Sequence, residues 1–316
     1  SYAGDEIGTN AFANSVCIGF AAVSDNPTAA ANGTVAIGYE ALKNLTSGPG
    51  NLAVGFKSLT ACTTGIGNVA IGSGSLATED DGDFNTAVGT QALNKQTGVS
   101  GTVGNTAVGY QAGAANTGAT GNTFIGYQSG LIDETGSTNT MVGYQTGIAG
   151  TDIDGCTLIG YAAGTAINAN GADYTTAIGR QALAALTSGA GNVAIGYQAL
   201  DAEDDGDHNT AVGYQALTAQ TGVSGEVGNT AVGSGAADAI TTGVKNVAIG
   251  RNALGASLLV DKTVVIGYGA GGGVMTAAAD GSVLIGHEAG ASLTSGIGNV
   301  AIGTNALDAA ATSDYN

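Results

Sequence analysis

Along nearly the whole chain, three apolar residues run into a glycine, and the group keeps returning: Val193, Ala194, Ile195, Gly196 is one copy and Val300, Ala301, Ile302, Gly303 another. Taking that glycine as a pivot gives seventeen copies, at Gly19, Gly38, Gly55, Gly72, Gly89, Gly109, Gly126, Gly143, Gly160, Gly179, Gly196, Gly213, Gly233, Gly250, Gly267, Gly286 and Gly303. Eleven of the sixteen intervals are seventeen residues, three are nineteen and two are twenty. Such regularity requires a stack of equivalent structural units.

Aligned on the pivot, the copies become columns. The residue before it is always Ile or Val; the residue before that is apolar and mostly Ala, with Cys17, Phe124, Met141, Leu158, Val265 and Leu284 as larger members. Third before the pivot stands Val or Thr, with Leu52 the single unbranched aliphatic. Short runs of β-branched and small residues, interrupted by glycine and lacking a 3.6-residue period, predict strands. The predicted fold is all-β: a parallel β-solenoid of about 17 coils, each 17 to 20 residues long. The pivot supplies the sharp corner that a Cβ would obstruct.

A strand apolar on both faces reads as buried on both. The Ile/Val column and the Val/Thr column two residues earlier are expected to fill the interior. The Ala column then presents a flat outer surface to another chain or to another wall of the coil. After the pivot come an aromatic in ten copies, often Gln, then Ala, Ser or Thr, and usually Leu or Gly. Asn stands fourth before the pivot in eleven copies, where stacked side chains can bond from coil to coil.

Length alone would allow two ordinary domains, but the repeat runs throughout. The expectation is one elongated domain over residues 1–316, with an irregular first coil in 1–14 and the whole an excerpt of a longer fibre. Ile7, Gly8, Thr9, Asn10, Ala11, Phe12 matches Ile302 to Leu307 and marks that degenerate first motif. Fifty-six glycines and two prolines would suggest low complexity, but regularly placed β-branched residues argue against disorder. A net charge of −18, from 25 acidic and 7 basic side chains, argues against nucleic acid and anionic membrane as partners. No apolar run is long enough to span a bilayer.

Blocks of several coils are duplicated: residues 67–113 and 191–237 align at an offset of 124 and share the string Glu-Asp-Asp-Gly-Asp from Glu79 and from Glu203. Asp80, Asp81, Asp83 and their copies Asp204, Asp205, Asp207 place carboxylates around a glycine, the oxygen-rich kind of turn that calcium accepts. They are the candidate metal ligands, against the plainer reading of a solvated acidic loop. Otherwise no cofactor is expected. His208 and His287 occupy different coil positions, and Phe84 replaces His208 in the duplicate, so no general base recurs and the chain does not read as an enzyme. Cys17, Cys62 and Cys156 lack metal-ligand spacing and read as small core or near-core side chains. Thr86, Thr106, Thr123, Thr140, Thr157 and Thr176 form a row at one coil position. Facing outward, it could bind ice or a polysaccharide lattice; sharing the interior with the Ile/Val column, as expected here, it is a row of satisfied core hydroxyls.

The strings from Asn14, Ser15, Val16, Cys17, Ile18, Gly19 to Asn299, Val300, Ala301, Ile302, Gly303 resemble the head repeat of YadA-type trimeric autotransporter adhesins, Asn-Ser-Val-Ala-Ile-Gly. The resemblance covers essentially the whole chain. It implies a left-handed parallel β-roll, a trimer and a place outside the cell; similar repeats occur in phage tail fibres. The function expected is an extracellular structural or adhesive fibre segment, an adhesin head or tail-fibre shaft, at a cell surface or on a virion. Its partners would be copies of itself, as a trimer or an end-to-end filament, and a host-surface protein or glycan. The alternatives are a subunit of a self-assembling extracellular filament or sheath, and a ligand-binding solenoid for calcium or ice.

Overall fold

The structure, a computed structural model, describes residues 14–24, 27–97, 100–168, 171–221, 224–309, 312 and 314–316. The degenerate motif expected near Ile7 lies outside them. The fold is all-β, a parallel β-solenoid of about 16 turns. Its contacts cluster into two compact units, residues 1–156 and 157–316.

In the first unit eight three-residue strands, Val16–Ile18, Val35–Ile37, Leu52–Val54, Val69–Ile71, Thr86–Val88, Thr106–Val108, Thr123–Ile125 and Thr140–Val142, pair in parallel. The second unit contributes nine: Thr157–Ile159, Thr176–Ile178, Val193–Ile195, Thr210–Val212, Thr230–Val232, Val247–Ile249, Val264–Ile266, Val283–Ile285 and Val300–Ile302. Each pairing joins like columns whether the coil between is seventeen, nineteen or twenty residues long, as in Val193↔Thr210, Thr157↔Thr176 and Thr210↔Thr230. The extra residues are absorbed in loops. In the twenty-residue coils they build one small additional pairing each, Gly82–Asp83 with Gly101–Thr102 and Gly206–Asp207 with Gly225–Glu226.

The pivots behave as the sequence requires. Gly196 has φ +140°, and a Cβ there would run into the carbonyl oxygen of Gly213 in the next coil. Only glycine combines that backbone conformation with that approach.

The assignment of faces is the reverse of the expected one. The Ala column is interior: Ala36, Ala53, Ala70, Ala87, Ala107, Phe124, Met141, Leu158, Ala177 and Ala194 are all fully buried. The Ile/Val column points outward, with Ile71, Ile125, Ile195 and Ile249 each 37 or 38% exposed. The Val/Thr column shares that outer face and is half-buried among its neighbours in the adjacent strands, except at the exposed terminal copies Val16 and Val300. The threonine row is therefore not a core row. The reason is volume. Across the narrow coil the Ala column meets the fourth residue after the pivot, a buried Leu in Leu42, Leu59, Leu76, Leu93, Leu183, Leu200, Leu217 and Leu254. Two β-branched columns would not fit beside it.

The Asn column is buried and bonds backbone rather than stacking amide on amide. Asn68 Oδ1 accepts from the Asn85 N–H at 2.8 Å, and Asn68 Nδ2 donates to the Gly82 carbonyl at 2.7 Å. Asn105, Asn122, Asn192 and Asn229 repeat the pattern. Each such side chain satisfies groups that a closed interior would otherwise leave unpaired.

Candidate functional site

Two features stand out on the surface: the outward strand face with the aromatic corner beside it, and the acidic loops.

On the strand face of each unit, in-register pairing lines the Val/Thr residues up as one row and the Ile/Val residues as another, about 4.8 Å apart from strand to strand. Neither row contains a charged residue, although the chain carries −18 overall. The terminal copies are the most open, Ile18 at 56% and Ile302 at 68%. Around the pivot corner the next residue extends the apolar surface as a stacked ladder. Tyr110, Tyr127 and Tyr144 stack with ring centroids 5.3 and 5.1 Å apart, as do Phe20, Tyr39 and Phe56 at 5.4 and 5.2 Å. In the second unit Tyr197 stacks on Tyr214, and Tyr268 on His287. Arg180 takes the ladder position between Tyr161 and Tyr197, with its guanidinium 5.6 and 5.8 Å from their ring centroids. Beside the rings an amide ladder runs from Gln145 to Gln128 to Gln111 to Gln91, each Nε2 donating to the next Oε1 at 2.9–3.1 Å. Because ring faces cover one another, the ladder offers its edges to solvent.

The acidic loops are organised differently from their spelling. Asp80 and Asp81 come together with Glu79, one carboxylate oxygen from each lying within 4.8 Å of the others, and Asp204 and Asp205 do the same with Glu203. Asp83 and Asp207 are turned to another task. Asp83 Oδ1 accepts the Ile66 N–H of the preceding coil at 2.7 Å, and Asp207 Oδ1 accepts that of Ala190 at 2.8 Å. Asp154 and Asp261, at the same place in their coils, make the same bond to Ser137 and Val244. Glu79 and Glu203 are fully buried, and burial pushes both carboxyls above the usual range.

These two glutamates belong to an interior column that is visible only when coils are aligned on the preceding pivot, seven residues on. Leu45, Leu186, Ile167 and Ile240 occupy it in some coils, whereas Cys62, Glu79, Gln96, Asn116 and Asp133 make it polar and buried through five successive coils of the first unit. Asp133 is held there by the Gly136 N–H and by Asn139 Nδ2, at 3.1 and 3.2 Å, and burial raises its carboxyl to about 7. The Cys62 thiol is likewise pushed up to about 12, that of an inert core residue. His208 lies against Gly191, and His287 is in the aromatic ladder beside Glu288.

The class of protein that this fold defines is a β-solenoid repeat protein. No protein-family model matches the sequence, and no curated protein gives a significant match.

Proposed function

We propose that the protein is a structural segment of an extracellular fibre, in which copies associate through the outward Val/Thr and Ile/Val rows and leave the corner loops to make surface attachments. The observation that carries this reading is the uncharged, in-register apolar face on an otherwise acidic chain. Contiguous exposed apolar surface of this kind marks an interaction site, and a second copy matches its repeat without any mismatch in spacing. The assembly by this reading is a closed trimer, in keeping with the adhesin-like repeat, and cyclic closure gives it a finite size.

Light scattering of the purified chain tests it, alongside an Ile71→Lys/Ile195→Lys variant with unchanged circular dichroism. Three chains per particle for the wild type and one for the variant are the expected result. A monomeric wild type would sink the reading, and a mass that climbs with concentration would favour the filament subunit instead.

One observation favours a second reading. Thr86, Thr106, Thr123 and Thr140, and Thr157, Thr176, Thr210 and Thr230, all lie on the outward face. A regular row of hydroxyls and methyls suits an ordered surface such as ice or a polysaccharide lattice, and thermal hysteresis of the wild-type chain, lost on replacing the row's threonines by lysine, would reveal the former.

A further inference from the structure

Glu79 is completely buried, and only one of its carboxylate oxygens is satisfied. Oε1 accepts the Gly82 N–H at 2.8 Å, while Oε2 has no partner among the described residues. The duplicate reproduces this with more detail: Glu203 Oε1 accepts the N–H groups of Asp204, Asp205 and Gly206 at 3.1, 3.2 and 2.8 Å, and Glu203 Oε2 again has no partner among the described residues. Asp205 Oδ1 is a second buried oxygen without one. Burying a carboxylate oxygen without a partner is costly, so a repeat of the same orphan in two units calls for a neighbour.

A hydrogen-bond donor, a proton or a cation would serve; Asn85 Nδ2 and Asn209 Nδ2 are themselves buried without a partner among the described residues, but a donor, like a proton, answers only one carboxylate oxygen. A proton neutralises one carboxylate, but here each glutamate faces two aspartates. A cation answers all three at once.

We propose that each unit binds one calcium ion, held by Glu79, Asp80 and Asp81 in the first and by Glu203, Asp204 and Asp205 in the second. The sizes agree. Oxygens at 2.3–2.6 Å from a calcium stand at most about 4.6–5.2 Å apart, and the three ligand oxygens lie within 4.8 Å of one another. Asp80 is exposed and Asp81 partly so, which leaves the outer side of the ion to water. The seat is shaped for the glutamate: a Cβ on Gly82 would stand 2.8 Å from Glu79 Oε1, and one on Gly206 would stand 2.9 Å from both Glu203 oxygens. The ion would pin the turn that leads into the extra pairing of Gly82–Asp83 with Gly101–Thr102, and its counterpart at Gly206–Asp207, where the coil lengthens. Three protein carboxylates and several waters give an affinity of the extracellular-module kind, a Kd of roughly 0.1–1 mM.

The experiment is calorimetric titration of chelator-treated full-length protein with calcium chloride, repeated with magnesium chloride. Two calcium ions per chain are expected for the wild type, one for Glu79→Gln or Glu203→Gln, and none for the double variant. Should either glutamine variant fail to fold, Asp81→Asn/Asp205→Asn, which alters only the outer ligands, is expected to weaken both sites about tenfold or more. No calcium binding by the wild type at 10-fold above that Kd range, two sites persisting in the folded double glutamine variant, or full affinity in Asp81→Asn/Asp205→Asn would overturn the proposal. A double glutamine variant that is more stable than the wild type and indifferent to calcium would assign a proton to the orphaned oxygens.

Discussion

The ring of Phe124 lies between Gly113 and Gly130, in the space where a Cβ on either glycine would stand. The same exchange recurs throughout: where the Ala column carries Met141, Leu158, Val265 or Leu284, the residue facing it after the pivot is Gly147, Gly164, Gly271 or Gly290. Where the column keeps Ala, that residue is usually Leu. The interior conserves volume coil by coil, not residue by residue.

Phe124→Ala should therefore cost about 3–5 kcal/mol, as an aromatic lost from a close-packed core does. Gly130 has φ +58°, a conformation that Leu42 and Leu59 adopt at the matching place in their coils. Adding Gly130→Leu to Phe124→Ala should restore stability to within about 1.5 kcal/mol of wild type, whereas Gly130→Leu alone should destabilise by overpacking. Urea midpoints of the three variants form the cycle that decides it.

The inner and outer faces of one strand should respond in opposite ways. Ala194→Val adds methyl groups to a filled interior and is expected to cost about 1–3 kcal/mol. Ile195→Thr, on the outer face, should cost less than about 1 kcal/mol in the unassociated chain. Equal costs in urea denaturation would contradict the orientation of the strand.

Asn122→Ala removes a side chain that accepts the Asn139 N–H at 2.8 Å and donates to the Gly136 carbonyl at 2.6 Å, both in the buried wall. Leaving those two groups unpaired should cost about 2–5 kcal/mol. Hydrogen exchange of the Asn139 amide should accelerate with it.

Asp133 makes stability depend on pH. Its carboxyl titrates near 7 in the folded chain against an ordinary value of 3.8, so between those values the folded state holds the proton more tightly than the unfolded state does. Stability is thus greatest in acid as far as this group is concerned, and falls as pH rises from about 4 to about 8, by roughly 2–4 kcal/mol. Asp133→Asn should flatten that part of the pH profile of Tm, at a uniform cost of about 1 kcal/mol because one of two donors now faces an amide nitrogen. An unchanged slope would assign the dependence to other carboxyls.

The sequence by itself determined where the strands lie, that they run parallel and in register, and where glycine must turn the chain, because each of these is a requirement that every coil imposes on its neighbour. It placed the acidic loops but not their grouping. Asp80, Asp81 and Asp83 look alike in the string, and only the fold turns Asp83 toward the Ile66 N–H and brings the buried Glu79 into its place. The interior polar column from Cys62 to Asp133 was open to reading from the preceding pivot, but the variable loops hide it when coils are aligned on the following one. Which face of the strand is inside was left to the tertiary structure. A three-residue strand such as Val193–Ile195 is apolar on both sides, so alternation carries no sign. The choice was made by the width of a seventeen-residue coil, whose opposite wall already carries Leu200 and leaves room for Ala194 alone.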